Sequence, residues 1–419
     1  MEKKRKKHPV LLGFLCVLVL CAAAVGMYMH FGGFGTGECA DVREFEKYAV
    51  PVSDLTVPES ARIVALGEAT HGNREFQELR LEVFQVLVEQ YGVRAFGLEG
   101  DFGGCEAVNR YIHGGEGTAG EALAAMGFAI YRTGEMENLV EWMRSYNAAA
   151  PEGGDLRFYG FDMEQYASSC RYLLEAMEEA GMDTAGLEAI WNKETGTYAD
   201  SADSGQRAEV LRGIQEALPA GHAQAAQFAE VLLQNIELGD YLNDSGEFNA
   251  QRDRMMAENV QWILYQEQSR GNDRIFISGH NNHVMQCPNA GSQVMGSRLA
   301  KELGGGYFVI GTDFYRSVCN LPKPLTGKRI THTFYSYDPL AKASRKCGFD
   351  KSYLDFSRIP EDSALTEQVE GSIWMGSLGE AYSVLMNVVP RSYRVLRTPK
   401  DAYDAMIFVA KARPIEIRK

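Results

Sequence analysis

Residues able to do acid–base chemistry in this chain sit at turns that follow short apolar runs. Glu68-Ala69-Thr70-His71-Gly72 follows Ile63-Val64-Ala65-Leu66-Gly67. Glu99 follows the run Val93–Leu98, and Asp162 follows Leu156–Phe161. A fourth run, Arg274–Ser278, ends in Gly279-His280-Asn281-Asn282-His283. If the four runs are strands of one parallel sheet, these side chains gather along its carboxyl edge, where open α/β sheets keep their binding sites. A glutamate just past a buried strand costs desolvation unless it has a partner or a role in chemistry. Helix capping explains Asp162 equally well, because Asp accepts backbone N–H bonds there. Arg80 shares a helix face with Phe76, Val83 and Phe84. It therefore needs a carboxylate, either as a structural ion pair or as part of the site. Arg252 lies on a helix charged on several faces and reads as a solvated arginine. His113, His222 and His332 read as surface histidines.

Two chemistries suit a cluster of three histidines and two glutamates. In one, a histidine held by glutamate deprotonates water for direct attack on a carbonyl. In the other, Glu68, His71, His280 and His283 bind a divalent metal that activates the water. No organic cofactor is expected. The sequence has no GxSxG elbow, P-loop, HExxH or GxGxxG after a strand, so no serine nucleophile or nucleotide loop is visible. Six cysteines outside the N-terminal apolar run (Cys39, Cys105, Cys170, Cys287, Cys319, Cys347) are scattered without a CxxC pair, which argues against a zinc ribbon.

The elements that must position these residues follow from periodicity. Strand-like and helix-like segments alternate through residues 62–112, which predicts an α/β fold with a mainly parallel sheet and crossover helices. A helix is expected over residues 73–91, closed by Gly92. Residues of about 164–270 read as almost entirely helical, an added helical subdomain. The tail reads as mixed and β-rich, returning to the sheet. At the other end, Lys3, Lys4, Arg5, Lys6 and Lys7 precede an uncharged run, Val10–Met29, long enough for a bilayer. The expected layout is a basic cytoplasmic end at 1–9, a transmembrane anchor at 10–30, a Gly-rich tether at 31–40 and a hydrolytic domain at 41–419. That layout places the body outside the cytoplasm on a single-pass anchor. The net charge of −14 makes nucleic acid an unsuitable partner, since its binding requires neutralising phosphates.

Gly67-Glu68-Ala69-Thr70-His71-Gly72 with Glu75-Phe76 and Arg80 resembles the signature of the erythromycin esterase family. Leu98-Glu99, Phe161-Asp162, Arg252-Asp253 with Met256-Ala257 and Asn259, and Gly279-His280-Asn281-Asn282-His283-Val284 fit the same family, and the likeness runs from about residue 41 to 415. The resemblance implies hydrolysis of an ester or lactone bond, macrolides included, by a parallel-sheet core with a helical subdomain around a deep cleft. It implies His71 as general base and Glu68 and Glu99 as residues orienting it or the water. Arg80, His280 and His283 would line the cleft and stabilise the oxyanion. A small-molecule ester or lactone is the expected partner. A metal-dependent envelope hydrolase and a non-catalytic envelope-binding module are the alternatives.

Overall fold

The computed structural model describes residues 9–30, 39–289, 291–387 and 389–418. Pro9–His30 forms one helix, α1. The expectation of a transmembrane anchor over 10–30 is corrected here: among the described residues no helix is long and apolar enough to cross a membrane, and membrane association has no support from it. Of the expected basic end at 1–9 and Gly-rich tether at 31–40, residues 1–8 and 31–38 lie outside the described residues.

The body is an eight-stranded mixed sheet with helices on both faces. Its strands in chain order are β1 (Ile63–Glu68), β2 (Ala95–Asp101), β3 (Arg157–Asp162), β4 (Ile275–His280), β5 (Tyr307–Pro322), β6 (Arg329–Tyr335), β7 (Lys351–Asp355) and β8 (Ala405–Ala412). Their spatial order is β3-β2-β4-β1-β5-β8-β7, with β6 pairing β5. All neighbours from β3 to β8 are parallel, and β7 and β6 add antiparallel edges. The parallel α/β core matches the expectation. The first, second and fourth strands run two or three residues further than their apolar segments predict, so Glu68, Glu99 and His280 lie on strands. In-register neighbours supply the backbone hydrogen bonds that let a strand continue across polar residues.

Alternation along each strand decides which face a side chain joins. Val64 and Leu66 of β1 pack on one face, and Ile63 and Ala65 on the other. The first face is covered by α2 (Arg74–Tyr91), which buries Phe76, Leu79, Val83, Phe84 and Leu87 and ends at Gly92, whose φ of 67° suits glycine. Phe96 anchors the aromatic core beneath it, with ring centroids 5.3 Å from Phe84, 5.3 Å from Phe276 and 5.1 Å from Phe158. After β2 comes α3 (Phe102–Ile112), capped by the Asp101 carboxylate, and before β3 comes α4 (Gly134–Ala149).

Between β3 and β4 the chain is almost wholly helical. It forms α5 (Ala167–Glu179), α6 (Ser204–Ala217), α7 (Ala223–Gly239) and the long α8 (Ser245–Ser269). α8 lies on the face opposite α2, where its Met256, Val260 and Ile263 join Ile63, Ala65 and Ile277. A further helix, α9 (Met295–Leu303), leads into β5. Parallel strands buried on both sides explain why the strand segments read as nearly continuous apolar runs.

Candidate active site

The ends of β1 and β4 are adjacent and in register, with Glu68 the Cα partner of His280. Three contacts tie these ends to β5. The Ala69 N–H donates to Thr312 Oγ1 at 2.9 Å, Asn281 Nδ2 to the Thr312 carbonyl at 2.7 Å, and the Thr312 N–H to Asn281 Oδ1 at 3.1 Å. Gly67 makes this approach possible, because a Cβ there would stand 2.1 Å from Asn281 Oδ1.

Glu68 continues the side of β1 that carries Val64 and Leu66, and so meets α2. Arg80 of α2, with its side chain 0% exposed, places Nη2 2.8 Å from Glu68 Oε2. The two atoms are close enough to pair as charges but are not aligned as a hydrogen bond. Arg80 Nε donates to Ser278 Oγ at 3.1 Å, and its guanidinium lies 5.2 Å from the Tyr131 ring centroid. Arg80 is thus sealed beneath Glu68, which corrects the expectation that it lines the cleft: its neighbours Phe76, Val83 and Phe84 are core residues. The other Glu68 oxygen makes a short contact with His71 Nδ1. Among the described residues His71 Nε2 has no hydrogen-bond partner, on a side chain 13% exposed.

Glu99 belongs to the opposite face, where α8 runs. Its Oε2 accepts the backbone N–H of His280 at 2.6 Å, and its Oε1 accepts Arg252 Nη2 at 3.2 Å. Arg252 Nε lies 3.2 Å from both oxygens of the buried Asp162 and 3.3 Å from Glu164 Oε2. Sequence reading took Arg252 for a solvated residue; the structure places it as the cation of a four-residue network. Asp253, which sequence reading left without a role, holds His283 Nδ1 at 2.8 Å. Periodicity gave no signal for either residue, because α8 carries charged residues on several faces.

The three histidines stand in a row, with ring centroids 5.0 Å apart for His71 and His280 and 6.4 Å for His280 and His283. His280 has a fixed tautomer. The Asn282 N–H donates to its Nδ1 at 3.2 Å, so the proton sits on Nε2, 3.3 Å from the carbonyl of Leu378. Burial, followed by the positive charges of His71 and His283, pushes His280 down to about 3, so it is neutral at working pH. Burial acts the same way on His71, but the carboxylates of Glu68, Glu99 and Glu380 outweigh it and hold the imidazole at about 9. Burial works against ionised Glu68 and Glu99, yet Arg80 and His71 lower the first, and His283, Arg252 and His71 the second. Both are carboxylates.

These donors do not form a ready metal site. Among the described residues no group of three or more His, Cys, Asp or Glu is arranged to hold an ion. The carboxylates that would serve face the guanidiniums of Arg80 and Arg252, and two of the three histidines have Nδ1 committed to a carboxylate.

Comparison with known proteins supplies the family. An erythromycin esterase type II of Escherichia coli is 25% identical over 351 residues, covering 72% of this chain and 82% of that protein. Among solved structures, a succinoglycan biosynthesis protein superposes with a TM-score of 0.74 at 18% identity, covering 90% of this chain and 98% of that one. An erythromycin esterase mutant in its open conformation superposes with a TM-score of 0.55 at 18% identity, covering 89% and 94%. At these identities the two structures speak for the fold alone. The erythromycin esterase family profile matches residues 88–412, a range that holds Glu99, Arg252, Asp253, His280 and His283 and begins after Glu68, His71 and Arg80. The chain belongs to the erythromycin esterase family and is a hydrolase of ester bonds.

Proposed function

We propose that this hydrolase opens the lactone ester of a macrolide by direct attack of a water that His71 deprotonates. The observation that carries this reading is the Glu68–His71 pair: Nδ1 is held by the carboxylate, and Nε2 is left to take a proton. Arg80 fixes Glu68 from behind, so the imidazole keeps one orientation. Water adds to the acyl carbon, its proton goes to Nε2, and negative charge develops on the carbonyl oxygen. His280 offers its Nε2–H to that oxygen, exchanging a long 3.3 Å bond to the Leu378 carbonyl for a charge-assisted one. Glu99 holds the His280 backbone in place for this. At neutral pH the resting His71 is an imidazolium, and the reactive base form grows as pH rises towards 9. The macrolide class comes from the name of the Escherichia coli relative.

Incubating the purified chain with erythromycin and following the product by mass spectrometry tests the reading. The expected result is a ring-opened product heavier by one water, formed at an unchanged rate after dialysis against a chelator. Loss of the rate on dialysis and its return with a divalent metal would replace His71 as the water-activating group. Hydrolysis of other esters with erythromycin untouched would move the substrate away from macrolides.

A further inference from the structure

Asp253 and His283 make a second carboxylate–histidine pair at the far end of the imidazole row. Asp253 is buried on α8, and its Oδ1 also accepts the backbone N–H of Met295 at 2.9 Å, at the start of α9. Two elements therefore fix the carboxylate, and the carboxylate fixes Nδ1 of His283 at 2.8 Å. Among the described residues the opposite nitrogen, Nε2, has distant polar neighbours, Glu99 Oε1 at 3.5 Å and Arg252 Nη1 at 3.5 Å. Both distances exceed a good hydrogen bond. His283 is 16% exposed, comparable to His71 at 13%, while His280 between them is buried. The row thus has the same construction at each end, an imidazole gripped through Nδ1 with Nε2 free of a short partner.

Ester cleavage needs two proton transfers, and the reading above uses only one of these ends. We infer that Asp253 is a positioning residue, orienting His283 so that its Nε2–H protonates the departing alkoxide. This rests on the ester hydrolysis proposed above. When the tetrahedral intermediate collapses, the bond between acyl carbon and alcohol oxygen breaks and its electron pair stays on the oxygen. That oxygen takes the proton from His283 Nε2, leaving a neutral ring whose Nδ1–H still points at Asp253. His71 then gives the proton taken from water to solvent, and His283 regains one from solvent. The net reaction is ester plus water to acid plus alcohol. The electrostatics favour a proton on His283: burial opposes it, but Glu99 and Asp253 outweigh burial and the repulsion of Arg252, raising the basicity of the ring. Carboxylate-held histidines need this orientation, because an amide in place of the carboxylate selects the wrong tautomer.

The experiment compares two leaving groups in the full chain: erythromycin, which expels an alkoxide needing a proton, and 4-nitrophenyl butyrate, whose phenolate leaves without one. In Asp253→Asn, kcat on erythromycin is expected to fall by about 100-fold. The fall on the nitrophenyl ester is expected to be at least about thirtyfold smaller, since only one ester needs the acid. His283→Gln must show the same discrimination, which keeps the test open if Asp253→Asn misfolds. Equal losses on both esters would make the pair structural and overturn the inference. Discrimination in both variants together with an unaffected His71→Asn enzyme would uphold the inference and sink His71 as base. A wild-type chain inert towards both esters would overturn the proposed function and this inference with it.

Discussion

Replacing His71 with asparagine should lower kcat/KM for erythromycin by about 1,000-fold, within the range a positioned general base contributes. Asparagine keeps a polar side chain at the site but supplies no basic nitrogen of comparable strength. The fold should tolerate the change, because the imidazole is part-exposed and its main partner, Glu68, keeps its ion pair with Arg80. Steady-state kinetics on protein of unchanged circular dichroism and melting temperature check both halves. A loss of less than about tenfold would mean that water is activated elsewhere.

The second large effect is on stability. Arg80→Met removes the cation beneath Glu68 and leaves a carboxylate 3% exposed with only His71 to balance it. Breaking a buried ion pair by removing one partner costs about 3–5 kcal/mol, more than burying a methionine in the same space recovers. Urea unfolding should show a midpoint lowered accordingly, and His71, no longer held by an anchored Glu68, should lose activity too. The double variant Arg80→Met with Glu68→Gln should recover part of the stability and none of the activity. If Arg80→Met alone unfolds like the wild type, the pair is not what holds Glu68 ionised.

Much of this site was readable before any coordinates, for a physical reason. A strand buried on both faces must be apolar until it reaches the sheet edge, so the first polar residues after each run mark that edge. Glu68, Glu99, Asp162 and His280 were found that way. Arg80 was readable because α2 is apolar around it, so its side chain had to face the core. Arg252 was not, because α8 carries charge on several sides and periodicity alone cannot say which side meets the sheet. Its burial is decided by tertiary pairing with Glu99 and Asp162, residues distant in sequence. The role of Asp253 was hidden for the same reason. Strand lengths were also underestimated, since the hydrogen bonds that extend β1 and β4 through Glu68 and His280 come from neighbours. At the N-terminus an apolar run alone suggested a membrane span that the described helix does not support.

The most direct test of base catalysis by His71 is the pH dependence of kcat/KM for 4-nitrophenyl butyrate, corrected for spontaneous hydrolysis. Its leaving group needs no proton, so the profile reports the ionisation of the base in the free enzyme. With His71 held at about 9 by its carboxylate neighbours, only the deprotonated ring is active. The rate should therefore climb about tenfold per pH unit from pH 6 to about 8, bending towards a plateau near 9. A profile that is level or falling between pH 6 and about 9 would contradict His71 as the group that takes the proton from water.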